Sequence, residues 1–493
     1  MKKFGVCLLI AAMLTQLAAC GSGTTSQETE AEAVTETTET TRIQHSLPDE
    51  LDFGGASFTA AFIDTPSEHY FVEESSSDNM TAAVYRRAKK TEDFLGVTIS
   101  YQDPVVAEDF TTLYKAGDDV YQMLFIWNTT LPLTFTTNGY FYNLDSLPYL
   151  NLSAEWWNYE QMQILQLGKY PYFAVSDLMI TTPSAILFNR DMITDNNLEN
   201  PYDLVLNGTW TLDKLIEMAG AVANDKDGDG HYNGEDDVVG GCINVNGAVA
   251  LFTGCGQLIS AKNEQGKLEL ILKSEKTLDI VDKLNTFARL PGGNVSTDNL
   301  TFNTTHTSGP KPFSTGTILF DSGTPEDMAN VTDYDFSTGI VPMPKYNEEQ
   351  SRYMCYDWSD LMGISGAIKN PEMVGAVLEF LSWDSKNEVF PTYYDVLLKT
   401  RYSQDMETRE MMNIIFDSIS YEIGGVYFGM SPGFCELWYT GAQHMVFGEK
   451  NFNALFRAFK GPANNTINEF YTAVEKIEGS LFVEETTADT AAQ

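Results

Sequence analysis

Short apolar runs alternate with longer helical patterns along most of this chain, and that rhythm predicts an α/β protein. Phe58, Ala60 and Phe62 alternate with small or polar residues, the period of a half-buried strand. A helical pattern runs from about Asn79 to Leu95 and Gly96 closes it, after which Val97 to Tyr101 reads as a second strand. Strand, helix, strand at this spacing implies a parallel pair joined by a right-handed crossover. Val120 to Trp127 is an apolar run short enough for a buried strand, which leaves Trp127 and Asn128 at its carboxyl end. Ligands of open α/β sheets bind beyond the carboxyl ends of strands, so these two are candidate ligand contacts.

A second unit follows the turn-rich stretch around Gly168 to Pro171. Tyr172 to Val175, Ala185 to Phe188, Thr317 to Phe320 and Thr338 to Val341 read as strands, as does Val238 to Val245. Thr211 to Val222 is an amphipathic helix with Leu212, Leu215, Ile216 and Ala219 on one face, and Leu278 to Phe287 is another helix. Asn370-Pro371-Glu372 is a helix start, with a side-chain cap and proline at the first helical position. Val374, Val377, Leu378 and Leu381 form its expected buried stripe, and the last hundred residues are mostly helical patterns. At 493 residues the chain is too long for one ordinary core, so two or more lobes are expected.

The amino terminus has a different character. Lys2 and Lys3 precede an apolar run from Val6 to Leu14, far short of the about 20 residues that span a bilayer. Leu17-Ala18-Ala19-Cys20 resembles the bacterial lipoprotein signal, in which the cysteine sulfur receives a diacylglycerol and becomes the new N-terminus. Residues 1–20 are thus a signal peptide with Cys20 as the lipidation site. Residues 21–47 read as a disordered acidic, Thr- and Glu-rich tether, because such a composition cannot bury enough apolar surface to offset ordering entropy. Residues 486–493 read as a disordered tail. The formal charge of −39 argues against nucleic acid or an anionic membrane surface as partner and says little about a neutral ligand. Cys242, Cys255, Cys355 and Cys435 show no framework spacing, which leaves free thiols and disulfides both open.

The sharpest local motif runs from Asp225 to Asp236. Asp225, Asp227 and Asp229 stand at loop positions 1, 3 and 5, where carboxylates converge on a hard cation, and Gly230 permits the turn at position 6. The His231 carbonyl supplies position 7, Asn233 reaches the ion through water from position 9, and Asp236 replaces the usual glutamate at position 12. Structural calcium is the expected cofactor, held in a loop grafted between a helix and a strand.

Sugars present flat C–H faces to aromatic rings and need polar partners for their hydroxyls. Trp127-Asn128, Trp156-Trp157-Asn158 and Tyr356-Asp357-Trp358-Ser359-Asp360 each place an aromatic ring beside polar groups. Trp127, Asn128, Trp157, Asp357 and Trp358 are therefore the candidate ligand-binding residues, while Trp210 and Trp383 read as packing residues. Enzyme motifs fail. Gly429-Met430-Ser431-Pro432-Gly433 matches G-x-S-x-G, but the residue after the serine must give an N–H to the oxyanion, and Pro432 has none. The five histidines show no metal-ligand spacing, so no catalytic residue is assigned.

The order of several fragments is similar to that in the extracellular solute-binding proteins of bacterial ABC importers, the family 1 group that includes maltose- and oligosaccharide-binding proteins. They are Gly117 to Tyr121, Gly139 to Leu144, Phe188 to Asp191, Gly208 to Leu215, Phe313 to Thr317 and Gly339 to Lys345, spread over nearly the whole body. The resemblance implies a two-lobed, periplasmic-binding-protein-like type II fold, each lobe a mostly parallel sheet flanked by helices, with the ligand in the cleft between them. By analogy residues 48–174 and 313–358 form lobe 1, and residues 175–312 and 359–485 form lobe 2. It further implies a lipid-anchored monomer on the extracellular face of the membrane. That monomer would capture a small solute, a carbohydrate by analogy, for ABC permease subunits and perform no catalysis. A surface carbohydrate-active hydrolase with a structural calcium site is the alternative, since two placed carboxylates would suffice for it.

Overall fold

Strand formation begins with an apolar stretch that cannot stay in water: every residue from Ala60 to Ile63 is buried, and the Ala56–Ile63 strand takes the centre of one half of the first sheet. The computed structural model describes residues 43–65, 70–230, 232, 237–293, 313–331, 334–398, 405–446 and 451–479. The first sheet has five strands in the order Val97–Val105, Ala56–Ile63, Met123–Ile126, Leu361–Ile364, Phe173–Ala174. Its first three strands are parallel and Leu361–Ile364 runs against both of its neighbours. The helix Asn79–Leu95 makes the expected crossover. Asp78 caps it by accepting from the Thr81 N–H at 2.8 Å, and Gly96 ends it in the left-handed conformation at φ 59°.

The second sheet has four strands in the order Thr338–Pro342, Ala185–Asn189, Ile318–Gly323, Val239–Cys242. It is mixed rather than mostly parallel, because Ala185–Asn189 runs antiparallel to both neighbours and only Val239–Cys242 pairs in parallel. The helix Leu212–Val222, capped by the Thr211 side chain, packs on this sheet and is itself covered by Glu275–Arg289. Its buried face is Leu212, Leu215, Met218, Ala219 and Val222, with Ile216 at the margin.

Sheet membership corrects the expected division of the chain. Ile318–Gly323 and Thr338–Pro342, placed by analogy with lobe 1 in 313–358, belong to the second sheet. Leu361–Ile364, placed with lobe 2 in 359–485, belongs to the first, and the helix Pro371–Asp384 packs on Asn79–Leu95 beside it. The chain returns to the first sheet only after all four strands of the second, while the helix Met406–Asp417 packs on Thr338–Pro342 and stays with the second lobe as expected. The amino-terminal limit also moves. The His45 ring stands 4.6 Å from Trp383 and 4.9 Å from Phe94, and Leu47 is buried, so the packed body begins before the expected end of the tether at residue 47. Cys20, residues 1–42 and the tail 486–493 lie outside the described residues.

Pro371–Asp384 is buried on every side from Met373 onwards rather than along one stripe, and two carboxylates go inside with it. Glu379 accepts from Trp157 Nε1 at 2.9 Å and from the Asn151 N–H at 3.1 Å, and Asp384 lies 3.3 Å from Lys90 Nζ. Burial pushes the Glu379 carboxyl above its ordinary range. Among the described residues no helix is long and apolar enough to cross a membrane, and Cys242, Cys255, Cys355 and Cys435 are free thiols.

A glycine in this helix gives a prediction whose sign separates propensity from packing. Alanine is favoured over glycine inside a helix by about 1 kcal/mol. A Cβ on Gly375, however, would lie 2.0 Å from the Pro148 carbonyl oxygen, a backbone atom with no rotamer to escape through. Gly375→Ala should therefore destabilise the protein by about 1–3 kcal/mol in urea denaturation, and a gain in stability would contradict the packing.

Candidate functional site

The two sheets are joined by segments that cross side by side. The chain leaves Phe173–Ala174 for Ala185–Asn189 through residues 175–184, and returns from Thr338–Pro342 to Leu361–Ile364 through residues 343–360. These crossings pair: the Ser184 N–H donates to the Tyr356 carbonyl at 2.8 Å, and the Trp358 N–H donates to the Thr182 carbonyl at 3.2 Å. A third segment, Ile419–Ser420, lies parallel to Cys355–Tyr356.

Asp357 sits where the three meet and is fully buried. Its Oδ1 accepts from the Thr182 N–H at 2.8 Å and the Ser359 N–H at 3.2 Å, and its Oδ2 accepts from Ser359 Oγ at 2.5 Å and Tyr421 OH at 2.7 Å. Asn128 brings a strand end of the first sheet to the same place. Its Nδ2 donates to the Ser359 carbonyl at 2.8 Å and to that of Asp357 at 3.4 Å. Thr129 then turns in the left-handed conformation, φ 77°, and its N–H donates to the Val426 carbonyl at 3.0 Å. Asn128 Oδ1 and Thr129 Oγ1 are buried with no hydrogen-bond partner among the described residues.

Aromatic rings flank this junction. Trp127 caps a wholly buried strand and is itself 43% exposed, a large apolar surface left in water. Trp358 is half-buried, and its Nε1 donates to Ser184 Oγ at 2.9 Å. The Tyr356 ring lies 4.5 Å from Trp358 and 5.6 Å from Trp438, which in turn is 6.2 Å from Trp358. Trp438 fits because Gly425 and Gly429, one helical turn apart, have no side chains. A Cβ on either would approach the indole to 2.6 Å, and one on Gly429 would also meet Thr129 Cβ at 3.0 Å.

Four of the five expected ligand-binding residues, Trp127, Asn128, Asp357 and Trp358, therefore converge at the lobe crossing. Asp357 and Asn128 are bound up in holding it together. Trp157 is elsewhere, buried and fixed by Glu379 inside the first lobe. Thr65, Asp360, Tyr421 and Trp438 were not among the residues expected from sequence. Asp360 stood in the stretch already marked by Trp358, and the glycine spacing at 425 and 429 signals a bulky ring packed close by. Thr65 and Tyr421 carry no local signal.

Asp360 is the most strained electrostatic element of the site. Burial, with the neighbouring Asp357 charge adding, pushes its carboxyl up to about 6, while the Thr65 hydroxyl, donating at 2.9 Å, pulls the other way. The calcium-type loop is compatible with an ion as far as it is described. Oxygens of Asp225, Asp227 and Asp229 lie within 4.8 Å of one another. The Gly228 and Gly230 N–H groups donate to Asp225 at 2.7 and 2.8 Å, which fixes the turn. His231, Asn233 and Asp236 lie outside the described residues, and the chain resumes as the strand Val239–Cys242. The G-x-S-x-G stretch is a turn between helices Ile423–Phe428 and Phe434–Leu437, where the Ser431 N–H donates to the Phe428 carbonyl at 2.7 Å.

No protein-family model and no curated protein matches the sequence. Solved structures do match the fold. An ABC substrate-binding protein from Listeria monocytogenes in complex with cycloalternan aligns at TM-score 0.56 and 14% identity, over 84% of this chain and 99% of that one. A cyclo/maltodextrin-binding protein with maltotetraose aligns at 0.56 and 14%, over 84% and 97%. UgpB from Mycobacterium tuberculosis, with glycerophosphocholine, aligns at 0.56 and 14%, over 84% and 99%. The chain has the two-lobed α/β fold of these solute-binding proteins.

The pH response follows from Asp360. Its folded pKa of about 6 lies above the ordinary 3.8, so the folded state binds the proton more tightly and loses stability as pH rises through that window. Asp360→Asn should raise stability at neutral pH by about 1–3 kcal/mol in urea melts and flatten the acid-side slope. Some slope should remain, because burial raises the Asp177 carboxyl to about 6 as well. An unchanged slope would rule out the assignment.

Proposed function

We propose that this chain is the lipid-anchored receptor of an ABC importer and captures a carbohydrate at the lobe crossing. Cys20, in its Leu17-Ala18-Ala19-Cys20 setting, carries the anchor, and membrane permease subunits receive the closed, loaded form. The observation that carries the sugar reading is the exposed Trp127 indole, next in sequence to Asn128 and Thr129, whose Oδ1 and Oγ1 are buried without partners among the described residues. A pyranose offers an apolar face to the first and hydroxyl groups to the others. Two of the structural neighbours named above hold oligosaccharides, which supports the same class; the third holds a glycerophosphodiester, so the fold alone does not fix the solute. No bond is made or broken in this role.

Thermal unfolding of residues 21–493 across mono- and oligosaccharides tests it. A bound sugar at about a hundred times its dissociation constant adds roughly 2.7 kcal/mol. Trp127→Ala should cut the affinity at least about tenfold with little change in intrinsic stability, because the side chain projects from the core. No shift with any sugar, or a Trp127→Ala protein that binds normally, would sink the carbohydrate assignment.

Calcium is the second part of the proposal. Three aspartates at alternate positions repel one another unless a cation lies between them, and the loop Asp225–Asp229 has the turn that would present them. Micromolar to millimolar calcium should raise the melting temperature of chelator-treated protein, and Asp227→Asn should abolish that rise. Equal melting with and without calcium would leave the loop as a solvated acidic turn.

A further inference from the structure

Away from the lobe crossing residues Trp127, Asn128, Asp357 and Trp358, a cavity of 540 Å³ opens between the first lobe and the helix Met406–Asp417. None of those four residues lines it. Rings make much of its wall: Trp157, Tyr159, Phe390, Tyr394 and Phe416, with Phe390 and Phe416 edge to face at 5.9 Å. Tyr159 is 47% exposed, unusually open for an aromatic residue beside a concave site. The polar lining is lopsided. Glu155, Glu160, Asp177 and Asp417 face one cation, Lys386, which lies 3.3 Å from Asp177 and over the Phe390 ring at 5.9 Å.

We infer that this cavity is a second binding site, selective for a small organic cation such as a quaternary or primary amine. Aromatic faces carry negative electrostatic potential and attract ammonium groups most strongly where water is excluded. Four carboxylates against one lysine leave an acid excess that a neutral sugar would not relieve and an anion would aggravate. Burial pushes the Asp177 carboxyl up to about 6, while Lys386 beside it pulls the other way. The residues leading into the lobe crossing, Met179 and Thr181, and Ile419 from the third crossing segment also line the cavity. An occupant would therefore touch both lobes without entering the site at Trp127.

Calorimetric titration of the full mature chain with choline, and with its uncharged tert-butyl isostere, tests the inference. Choline should bind saturably, and the isostere at least about tenfold more weakly, because only the charge differs. Asp177→Asn, which keeps the shape and removes the charge, and Tyr394→Leu, which keeps the bulk and removes the ring, should each weaken choline at least about threefold. Far-ultraviolet circular dichroism checks that both variants fold. Trp127→Ala should leave choline binding unchanged. Equal binding of choline and its isostere, absence of saturable binding, unaltered affinity in both cavity variants, or loss of binding in Trp127→Ala would each overturn it.

Discussion

The buried Asp357 carboxylate is the contact on which the two-lobed arrangement depends. Four donors converge on it from two crossing segments and a third strand, and all four are neutral. Taking a carboxylate out of water costs several kcal/mol, and donors held at hydrogen-bond distance offset that cost, so losing one of them would leave a buried acceptor less well satisfied. The Thr182, Ser359 and Tyr421 donors all close on this one carboxylate. The knot therefore ties the segments that run between the two sheets to one another.

The arrangement of rings around the crossing follows from the same knot. Asn128 uses its amide nitrogen to hold the crossing, so its oxygen remains unpaired and Trp127, one residue earlier, is set at the edge of the sheet. Trp358 is turned to the opposite side of its strand from Asp357 by the alternation of extended backbone, and its partner rings, Tyr356 and Trp438, collect there. Trp438 reaches that position only because two glycines on the facing helix make room for it.

How much of this was legible in the sequence divides along the range of the interactions. The Asn79–Leu95 helix, its Gly96 stop and the parallel strands on either side follow from local period and caps; the structure reproduces the helix limits and lengthens both strands, to Ala56–Ile63 and Val97–Val105. The Asn370 cap and Pro371 start were equally plain, yet the stripe expected on that helix was too narrow. Burial on every side depends on Asn79–Leu95 and on Trp157, far away in sequence. Lobe membership of 313–358 and 359–398 failed for a related reason. Strand pairing across hundreds of residues leaves no periodic trace, and the mixed second sheet has no local mark. The position of Trp127, Asn128 and Trp358 at the crossing was recoverable because a ring beside a polar group at a strand end is itself a local pattern. Trp157 fits the same pattern but lies away from the crossing, buried against its distant partner Glu379.

Electrostatics differs between the lobe crossing and the second cavity. At the lobe crossing the carboxylates are screened or discouraged: Asp357 is saturated by neutral donors, and Asp360 is pushed towards its neutral form. What this region offers an occupant is rings and unpaired neutral acceptors, suited to an uncharged, hydroxyl-rich molecule. Much of the chain's excess of 69 acidic over 30 basic residues has no counterpart there. In the cavity under Trp157 the balance is reversed, with carboxylates outnumbering the single lysine among aromatic walls. The two regions thus differ in charge, although both are built on residues that lead into the same crossing.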